Sequence, residues 1–297
     1  MNKNAICMTV YKNRYTHMLQ LIKDIKGFDI FIVAQRNDPN LNEYYEYDTE
    51  VLVPDVKSIF DKREYIRNEM IDRGYEGFFM IDDDIKAFVK ITEETKRTTS
   101  DTYRPTPTNI QEVLDKVLAA STNLNCDFVG IALWQYLGFS RPNKINVNKS
   151  LNCGQFVYFR TAALKELDLH YDTSGLINED LDMVIRLLQH GKNCCTVMDY
   201  TYIQGNHRYS KKHVSETTLY ENGIKQIERM NMRNVVKHHS SMKIRPDGIL
   251  TNVIRFNKYY NTFELPKVDE KILEFCKDED LEGLREYLKN IKDSKKN

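Results

Sequence analysis

Segments suited to strands and segments suited to helices alternate along the first two thirds of this chain. Apolar runs of strand length are separated by stretches with helical periodicity, and several of these stretches end at a glycine, as at Gly27, Gly74 and Gly191. This alternation predicts a mostly parallel sheet covered by helices, because parallel neighbours need a crossover between them. The predicted strands are 5–11, 29–35, 50–54, 77–81, 127–133, 152–159 and 194–203, and the predicted helices are 16–28, 58–75, 109–124 and 179–191.

The composition describes a globular chain without a charge bias. Of its 297 residues, 41% are hydrophobic and 29% are charged, which allows one large domain or one domain with an appendage. Lys plus Arg and Asp plus Glu both number 43, so the formal net charge is zero. The overall charge therefore gives no support to nucleic-acid binding, and any such role requires a local basic patch.

The six cysteines form no CxxC pair, and most of them lie in apolar surroundings. We therefore expect reduced thiols in the core rather than a zinc site or a disulfide framework. The N-terminus leads directly into a strand-like run, and no segment has the length and apolarity of a signal peptide or of a membrane span. The sequence thus predicts a cytoplasmic protein that does not enter a membrane.

Two regions fall outside the alternating pattern. Residues 92–108 are polar without an apolar period, which predicts a mobile loop or a lid. Beyond about residue 215 the chain turns helical, and the charge-rich tail 267–297 predicts one or two surface helices. We therefore divide the chain into a main domain, 1–214, and a helical C-terminal region, 215–297, that packs on it.

Three consecutive aspartates follow one of the predicted strands. Asp82, Asp83 and Asp84 come directly after GFFMI, at the end of a parallel strand, where open α/β sheets bind ligands. Three adjacent carboxylates repel one another, so at least one would take up a proton unless a cation is present. Oxygen ligands of this kind suit Mg²⁺ or Mn²⁺, which bridge carboxylates to the phosphates of a substrate. The alternative is an acidic turn that caps the following segment.

A second acidic group opens the predicted helix 179–191. Asn178 is suited to cap this helix, and Glu179, Asp180 and Asp182 lie in its first turn. Complementing the helix dipole would by itself account for acids at this position. The functional alternative is a general base, because a carboxylate held at a helix start can remove a proton from an attacking hydroxyl.

Two arginines and one histidine also have candidate roles. In the helix that begins near residue 58, Arg63 falls within the apolar stripe and Arg67 is its i+4 neighbour. These side chains either extend into solvent or reach the aspartates or a diphosphate. His207 follows a predicted strand beside a glycine, and it is either structural or the ligand that completes a Mn²⁺ shell.

The order of these motifs resembles that of the GT-A class of glycosyltransferases. The matching pieces are IDDD at 81–84, NCGQF at 152–156, NED at 178–180 and GNH at 205–207. The segment KREYIRN also looks like the donor-binding helix of that class. The triple aspartate, KREYIRNEM and EDLDMVIRLLQHGK are most similar to the TET-associated and phage-type glycosyltransferases, which modify hydroxymethylated pyrimidines in DNA. The resemblance covers about residues 5–210 and implies a GT-A, Rossmann-like, mixed and mostly parallel sheet flanked by helices, with 1–214 as the catalytic domain.

This resemblance implies roles for individual residues. Asp82 and Asp84 would hold Mn²⁺ or Mg²⁺ and the donor, with Asp84 as the more direct ligand, and His207 would complete the metal shell. Glu179 and Asp180 would be catalytic, with Asp180 as the base if the enzyme inverts, whereas a retaining enzyme would use Asp180 differently. The donor would be a UDP-sugar. The residues expected to contact it are Thr9, Tyr11, Arg14, Gln35, Asp38, Arg63, Arg67, Asp82 and Asp83.

The acceptor implied by the resemblance is the 5-hydroxymethyl group of a modified pyrimidine in phage-type DNA, in a bacterial or phage-infected cytosol. Trp134 and Tyr136 follow a predicted strand, and they line an acceptor pocket or pack in the core. Two basic clusters either contact DNA or form solvated helix faces. These clusters are 207–213 and the set Arg233, Lys237, His238, His239, Lys243 and Arg245.

Rival interpretations of the same motifs remain open. One is a glycosyltransferase that acts on a protein or a glycan. The others belong to different classes, namely a metal-dependent nucleotidyltransferase or a non-catalytic nucleotide-binding module.

Overall fold

The computed structural model builds the chain around one large mixed sheet. The structure describes residues 3–10, 25–91, 106–133, 144–149, 151, 153–204, 224–246 and 248–294. The strands of the main sheet are β1 (Asn4–Thr9), β2 (Asp29–Val33), β3 (Glu50–Leu52), β4 (Gly77–Asp82), β5 (Ile85–Lys90), β6 (Thr106–Thr108), β7 (Cys126–Leu133), β8 (Ile145–Val147), β9 (Phe156–Arg160) and β10 (Asn193–Gln204).

The helices follow the alternation that the sequence predicts. They are α1 (Leu41–Tyr44), α2 (Ile59–Asp72), α3 (Ile110–Asn123), α4 (Thr161–Glu166), α5 (Glu179–Gln189), α6 (Ile224–His238), α7 (Glu270–Lys277) and α8 (Leu281–Ser294). The start of α2 is fixed by Ser58, whose hydroxyl accepts the N–H of Asp61, and its end is followed by Gly74 at a φ of +78°. This helix carries Arg63 and Arg67.

The strand order is β3-β2-β1-β4-β9-β7-β10-β5-β6, with β8 beside β10. The pairings of the described strands make seven of these ten point in one direction, with β5, β8 and β9 reversed. The sequence prediction of a mixed, mostly parallel sheet is confirmed.

The strands β1 and β4 lie side by side and parallel at the centre of one half of the sheet. Their register places Thr9 opposite Asp82, so the C-terminal ends of both strands lie at the same end of the sheet. The strand β2 pairs with β1 on the side away from β4. Its last residue, Val33, lies opposite Thr9, so β2 ends level with β1. Polar residues that follow β1, β2 and β4 are therefore gathered at one edge of the sheet.

Apolar layers cover both faces of the sheet. Successive strand residues point to opposite faces, so Phe78 packs in the layer under α2 and α5, whereas Phe79 packs in the layer under α3. All six cysteines are buried, as predicted, and the structure shows them as free thiols. Among the described residues, no helix combines the length and apolarity needed to cross a bilayer.

The C-terminal region contains the predicted helices and, in addition, a hairpin that was not predicted. The strands β11 (Ser241–Ile244) and β12 (Leu250–Val253) pair antiparallel, and they share a small apolar core with α6, α7 and α8. The sequence RPDG between them was the available signal, because a Pro-Asp-Gly turn between apolar runs favours a hairpin. After β12, Phe256 and Tyr259 pack into the layer under α2 and α5, and the Tyr259 hydroxyl donates to the carbonyl of His238 over 2.8 Å.

The predicted loop 92–108 is shorter than expected at its C-terminal end. Residues 106–108 form β6, which pairs with β5 at the border of the sheet. Pro107 is compatible with a strand in this position because an edge strand has one side without partners. Residues 92–105, and 16–24 of the first predicted helix, lie outside the described residues.

Candidate active site

Asp82, the last residue of β4, is held from the neighbouring strand. The Thr9 hydroxyl donates to Asp82 Oδ1 over 2.9 Å. At the next residue of the chain, the carbonyl of Val10 accepts a hydrogen bond from Lys62 Nζ over 3.0 Å, which ties α2 to the end of β1. Lys62 is buried, and no role of its own was predicted for it from the sequence. Its place directly before Arg63 in KREYIRN was the available signal.

Arg63 joins the two acidic motifs. Its Nη1 donates to Glu179 Oε1 over 2.7 Å, and its Nη2 lies 3.6 Å from Asp82 Oδ2. The side chain is only 12% exposed, so it does not extend into solvent. A planar guanidinium presents several donors in a fixed fork and can span two carboxylates in this way. One side chain of α2 thus connects the end of β4 to the start of α5.

Glu179 and Asp180 begin α5 in a poorly solvated position. Burial raises the pKa of both carboxyls; the charge of Arg63 acts in the opposite direction, and Asp82 adds to the increase. The N–H of Leu181 donates to Asp180 Oδ1 over 2.8 Å and so orients that carboxyl. A carboxylate with a raised pKa holds a proton more readily near neutral pH, which is the property that a general base requires.

Asp83 lies in a different environment from Asp82. It is 5% exposed, and its carboxylate and that of Asp38 both lie close enough to Tyr44 to raise the pKa of the phenol. Burial is the largest cause of the raised pKa of Tyr44, and Asp38 and Asp83 increase it further. Asp38 Oδ1 accepts the N–H of Asn40 over 2.9 Å, and the carbonyl of half-buried Gln35 accepts the N–H of Asp38 over 3.0 Å. Asp83 is therefore on the side of the site where β2 ends.

Asp82 and Asp84 are the two carboxylates expected from the sequence to bind a metal ion. Thr9 and Arg63 hold Asp82 in one orientation, and Asp84 lies in the turn that joins β4 to β5. Within the part of the chain that the structure describes, no group of three or more His, Cys, Asp or Glu side chains forms a complete metal site. Two carboxylates fit the usual way of holding Mg²⁺, because waters and the phosphates of a substrate supply its other ligands.

Arg67 does not reach this site. Its Nη1 donates to Asn68 Oδ1 over 2.6 Å and its Nη2 to the carbonyl of Leu164 over 3.4 Å, so the guanidinium is directed toward α4. The sequence placed Arg63 and Arg67 on one helix face, but only the first is near the carboxylates. The structure therefore gives no support to a donor contact of Arg67.

Two other residues of the NED region also differ from expectation. Asn178 occupies the N-cap position of α5, but its side chain makes no capping hydrogen bond and instead lines a cavity next to α6. Asp182 is turned away from Glu179 and Asp180 and forms ion pairs with Arg186 and Lys237. The acidic motif therefore divides between the candidate site and the contact with the C-terminal region.

Several sequence-predicted residues lie outside the described parts of the chain. They are Tyr11, Arg14, Trp134, Tyr136, His207 and the remainder of the basic segment 207–213. Their predicted roles stay predictions.

The C-terminal basic cluster is partly neutralised. Arg233 donates to Glu279 over 2.6 Å, and Lys237 pairs with Asp172 and Asp182. His238 is buried, and Lys243 is exposed on β11. This arrangement agrees better with a paired helix face than with a continuous basic patch.

Comparisons with known proteins agree with this fold. A structure of S. aureus TarS (residues 1–349) aligns with a TM-score of 0.52 at 12% identity, over 99% of this chain and 92% of that one. The same TarS fragment in complex with UDP-GlcNAc aligns with a TM-score of 0.51, at the same identity and the same coverage. These likenesses confirm the predicted GT-A fold.

Sequence comparison gives the family. Among curated proteins, none matches the chain. The model of the family described as "TET-Associated Glycosyltransferase" matches residues 7–213, which include both acidic motifs. The protein therefore belongs to the TET-associated glycosyltransferase family.

Proposed function

We propose that the protein transfers a sugar from a UDP-sugar to a hydroxyl acceptor with the help of a divalent metal, and that the acceptor is the 5-hydroxymethyl group of a modified pyrimidine in DNA. The observation that carries this proposal is the bridge made by Arg63, which brings Asp82 and the acidic start of α5 together at the edge where β1 and β4 end. Membership in a glycosyltransferase family supports sugar transfer as the reaction. A cytoplasmic location follows from the proposal, because both DNA and nucleotide sugars are available there.

The donor side of the site is formed by residues at the ends of β1, β2 and β4. Thr9, Gln35, Asp82 and Asp83 lie there, in the position where open α/β sheets bind nucleotides. The TarS structures that share this fold were obtained with UDP-GlcNAc and with UDP. These observations support a UDP-sugar as the donor.

Asp82 and Asp84 would hold Mn²⁺ or Mg²⁺, with His207 as a further ligand. When bound, the ion would offset negative charge on the departing diphosphate. The residues of the chain would do the rest of the work on that side of the site. Thr9 and Arg63 would keep Asp82 oriented, and the positive charge of Arg63 would add to the attraction for phosphate.

Asp180 would act as the base of an inverting reaction. The acceptor oxygen forms a bond to the sugar carbon, the bond from that carbon to the diphosphate breaks, and the acceptor proton moves to a carboxylate oxygen of Asp180. The N–H of Leu181 would keep the carboxylate oriented to accept the proton. In this scheme residues 1–214 carry the catalysis, and residues 215–297 border the acceptor side.

The proposal is tested by measuring UDP release from a panel of UDP-sugars with Mn²⁺. The assay compares DNA that contains 5-hydroxymethylcytosine with DNA of the same sequence that contains cytosine. Release that requires the modified base would support the proposal and identify the sugar. Donor hydrolysis indifferent to the modified base would reject the DNA acceptor and direct the search to proteins and glycans. The absence of release from every donor would reject sugar transfer from UDP and favour a nucleotidyltransferase or a binding module.

Replacing Arg63 with methionine should move the pH dependence of transfer upward. Without the guanidinium, Asp82, Glu179 and Asp180 lose their shared cation, so Asp180 ionises only at higher pH. The measurement is kcat/KM for sugar transfer from about pH 5 to about pH 9. Arg67→Met, one turn along the same helix, is the matched control and should lower stability without moving the profile. Equal shifts in both variants would contradict the assignment of Arg63.

A further inference from the structure

A cavity lies between the acidic start of α5 and the C-terminal region. Its volume is about 130 Å³, and it is lined by Asn178, by residues of α6 and by the β11–β12 hairpin with its turn. Asn178 directly precedes Glu179 and Asp180, so the cavity lies beside the start of the helix that carries the expected base. The rest of the lining belongs to residues 227–252, beyond the end of the family match at residue 213.

The cavity walls combine apolar surface with side-chain amides. Ile227, Met230 and Ile249 supply the apolar part, and Asn178 and Asn252 supply amides. An asparagine side chain offers both a donor and an acceptor. Apolar walls that contact the faces of a ring, with amides that meet its polar edge, are the features by which proteins hold a base that has left the helix stack.

The two amides have hydrogen-bonding capacity available for a ligand. Asn178 makes no capping bond to its own helix. The Nδ2 of Asn252 is buried and has no hydrogen-bond partner among the described residues. Leaving a buried donor without a partner is unfavourable, and a hydrogen bond to the polar edge of a ligand would remove that cost. The amide of Asn231, by contrast, is already bonded within the protein, because its Nδ2 donates to the carbonyl of Leu250 over 3.1 Å. Asn231 therefore forms a fixed part of the cavity wall.

The size of the cavity limits what it can hold. Pockets for drug-sized ligands measure roughly 300–1,000 Å³. A volume of about 130 Å³ is well below that range and suits one ring. An oligosaccharide chain or a folded peptide segment would not fit inside it. Arg245, which also borders the cavity, provides a positive charge suited to an adjoining phosphate.

We propose that this cavity receives the acceptor as a single pyrimidine ring rotated out of DNA, and that Asn178 and Asn252 bind its polar edge. The inference rests on the proposed function and assigns the acceptor to a surface built by the C-terminal region. The apolar walls would contact the ring faces, and the hydroxymethyl group would be directed toward Asp180.

The test is the kinetics of Asn252→Leu and Asn178→Ala with DNA that contains 5-hydroxymethylcytosine. Leucine has a volume similar to that of asparagine but makes no hydrogen bond, and alanine at position 178 removes no existing cap. We expect the KM for DNA to rise about tenfold in each variant, with the KM for the donor changed less than about twofold. Asn123→Leu, at an exposed position near the end of α3, is the matched control and should match the wild type.

The outcomes separate this inference from the proposed function. Wild-type protein that transfers sugar to the modified DNA, with variants that keep the wild-type KM for DNA, would overturn the cavity assignment and leave the function standing. Wild-type protein that transfers sugar only to proteins or glycans would overturn both. Thermal unfolding of each variant identifies a folding defect. Asn178→Ala decides the question if Asn252→Leu does not fold.

Discussion

Replacing Asp180 with asparagine is expected to lower the rate of sugar transfer by about 10²- to 10⁴-fold, the range that general base catalysis contributes. The acceptor hydroxyl has to lose its proton as its oxygen bonds to the sugar carbon, and an amide does not accept that proton. Asparagine keeps the shape of the side chain, and its oxygen can still accept the N–H of Leu181, as Asp180 Oδ1 does over 2.8 Å. The measurement is single-turnover transfer alongside the affinity for the UDP-sugar, which should be unchanged.

The same substitution should not destabilise the protein. Burial raises the pKa of the Asp180 carboxyl, so the folded state disfavours its ionised form at neutral pH. A neutral amide removes that penalty, and the free energy of unfolding should stay the same or rise. Loss of activity together with loss of stability would instead indicate a structural role. Asp168→Asn is a control on an exposed carboxylate and should change neither quantity.

A variant that keeps more than about a tenth of the wild-type rate would show that Asp180 is not the base. Glu179 would be the next candidate, because it shares the start of α5 and is held by Arg63. Glu179→Gln would then separate the two, since it weakens the contact with Arg63 while leaving the Asp180 carboxyl in place.

The part of the site that was predictable from sequence is the part that strand order determines. Parallel strands end at a common edge, so the apolar run before Asp82 was enough to place that residue there. The directions of the other side chains were not predictable in this way. Consecutive residues at the end of a strand point to opposite sides, so Asp83 faces Tyr44 while Asp82 faces Arg63.

Long-range contacts explain the other differences between expectation and structure. Arg63 and Arg67 are equivalent in helical periodicity, but their distant partners differ. Arg63 contacts Glu179, 116 residues away in sequence, whereas Arg67 contacts the carbonyl of Leu164, 97 residues away. The acids in the first turn of α5 are similarly equivalent in sequence. Asp182 is directed to α6, which follows it by more than 40 residues and whose position no local pattern gives.

Asp182→Asn is expected to lower the free energy of unfolding by about 3 kcal/mol at neutral pH, because removing one partner from a buried ion cluster leaves the others uncompensated. Asp182 is only 1% exposed; its carboxylate lies 2.9 Å from Arg186 and 2.8 Å from Lys237. His238 Nε2 is 3.2 Å away. The contacts with Lys237 and His238 join α5 to α6, so the loss should appear as looser attachment of the C-terminal region. Chemical denaturation measures it, and Asp172→Asn, a more exposed partner of Lys237, should cost less than about 1 kcal/mol.

The pH dependence of this effect distinguishes an ion cluster from simple packing. Burial alone would raise the pKa of Asp182, but His238, Arg186 and Lys237 outweigh it and lower the pKa from 3.8 to about 2. A carboxyl whose pKa is lower in the folded state stabilises the protein above its unfolded pKa, and this stabilisation is lost as the pH falls through the folded value. The difference in unfolding free energy between wild type and Asp182→Asn should therefore be constant above about pH 4 and shrink between pH 4 and pH 2. A difference that stays constant across this interval would mean that the side chain acts by its shape, and that the charges around it contribute nothing to holding the C-terminal region in place.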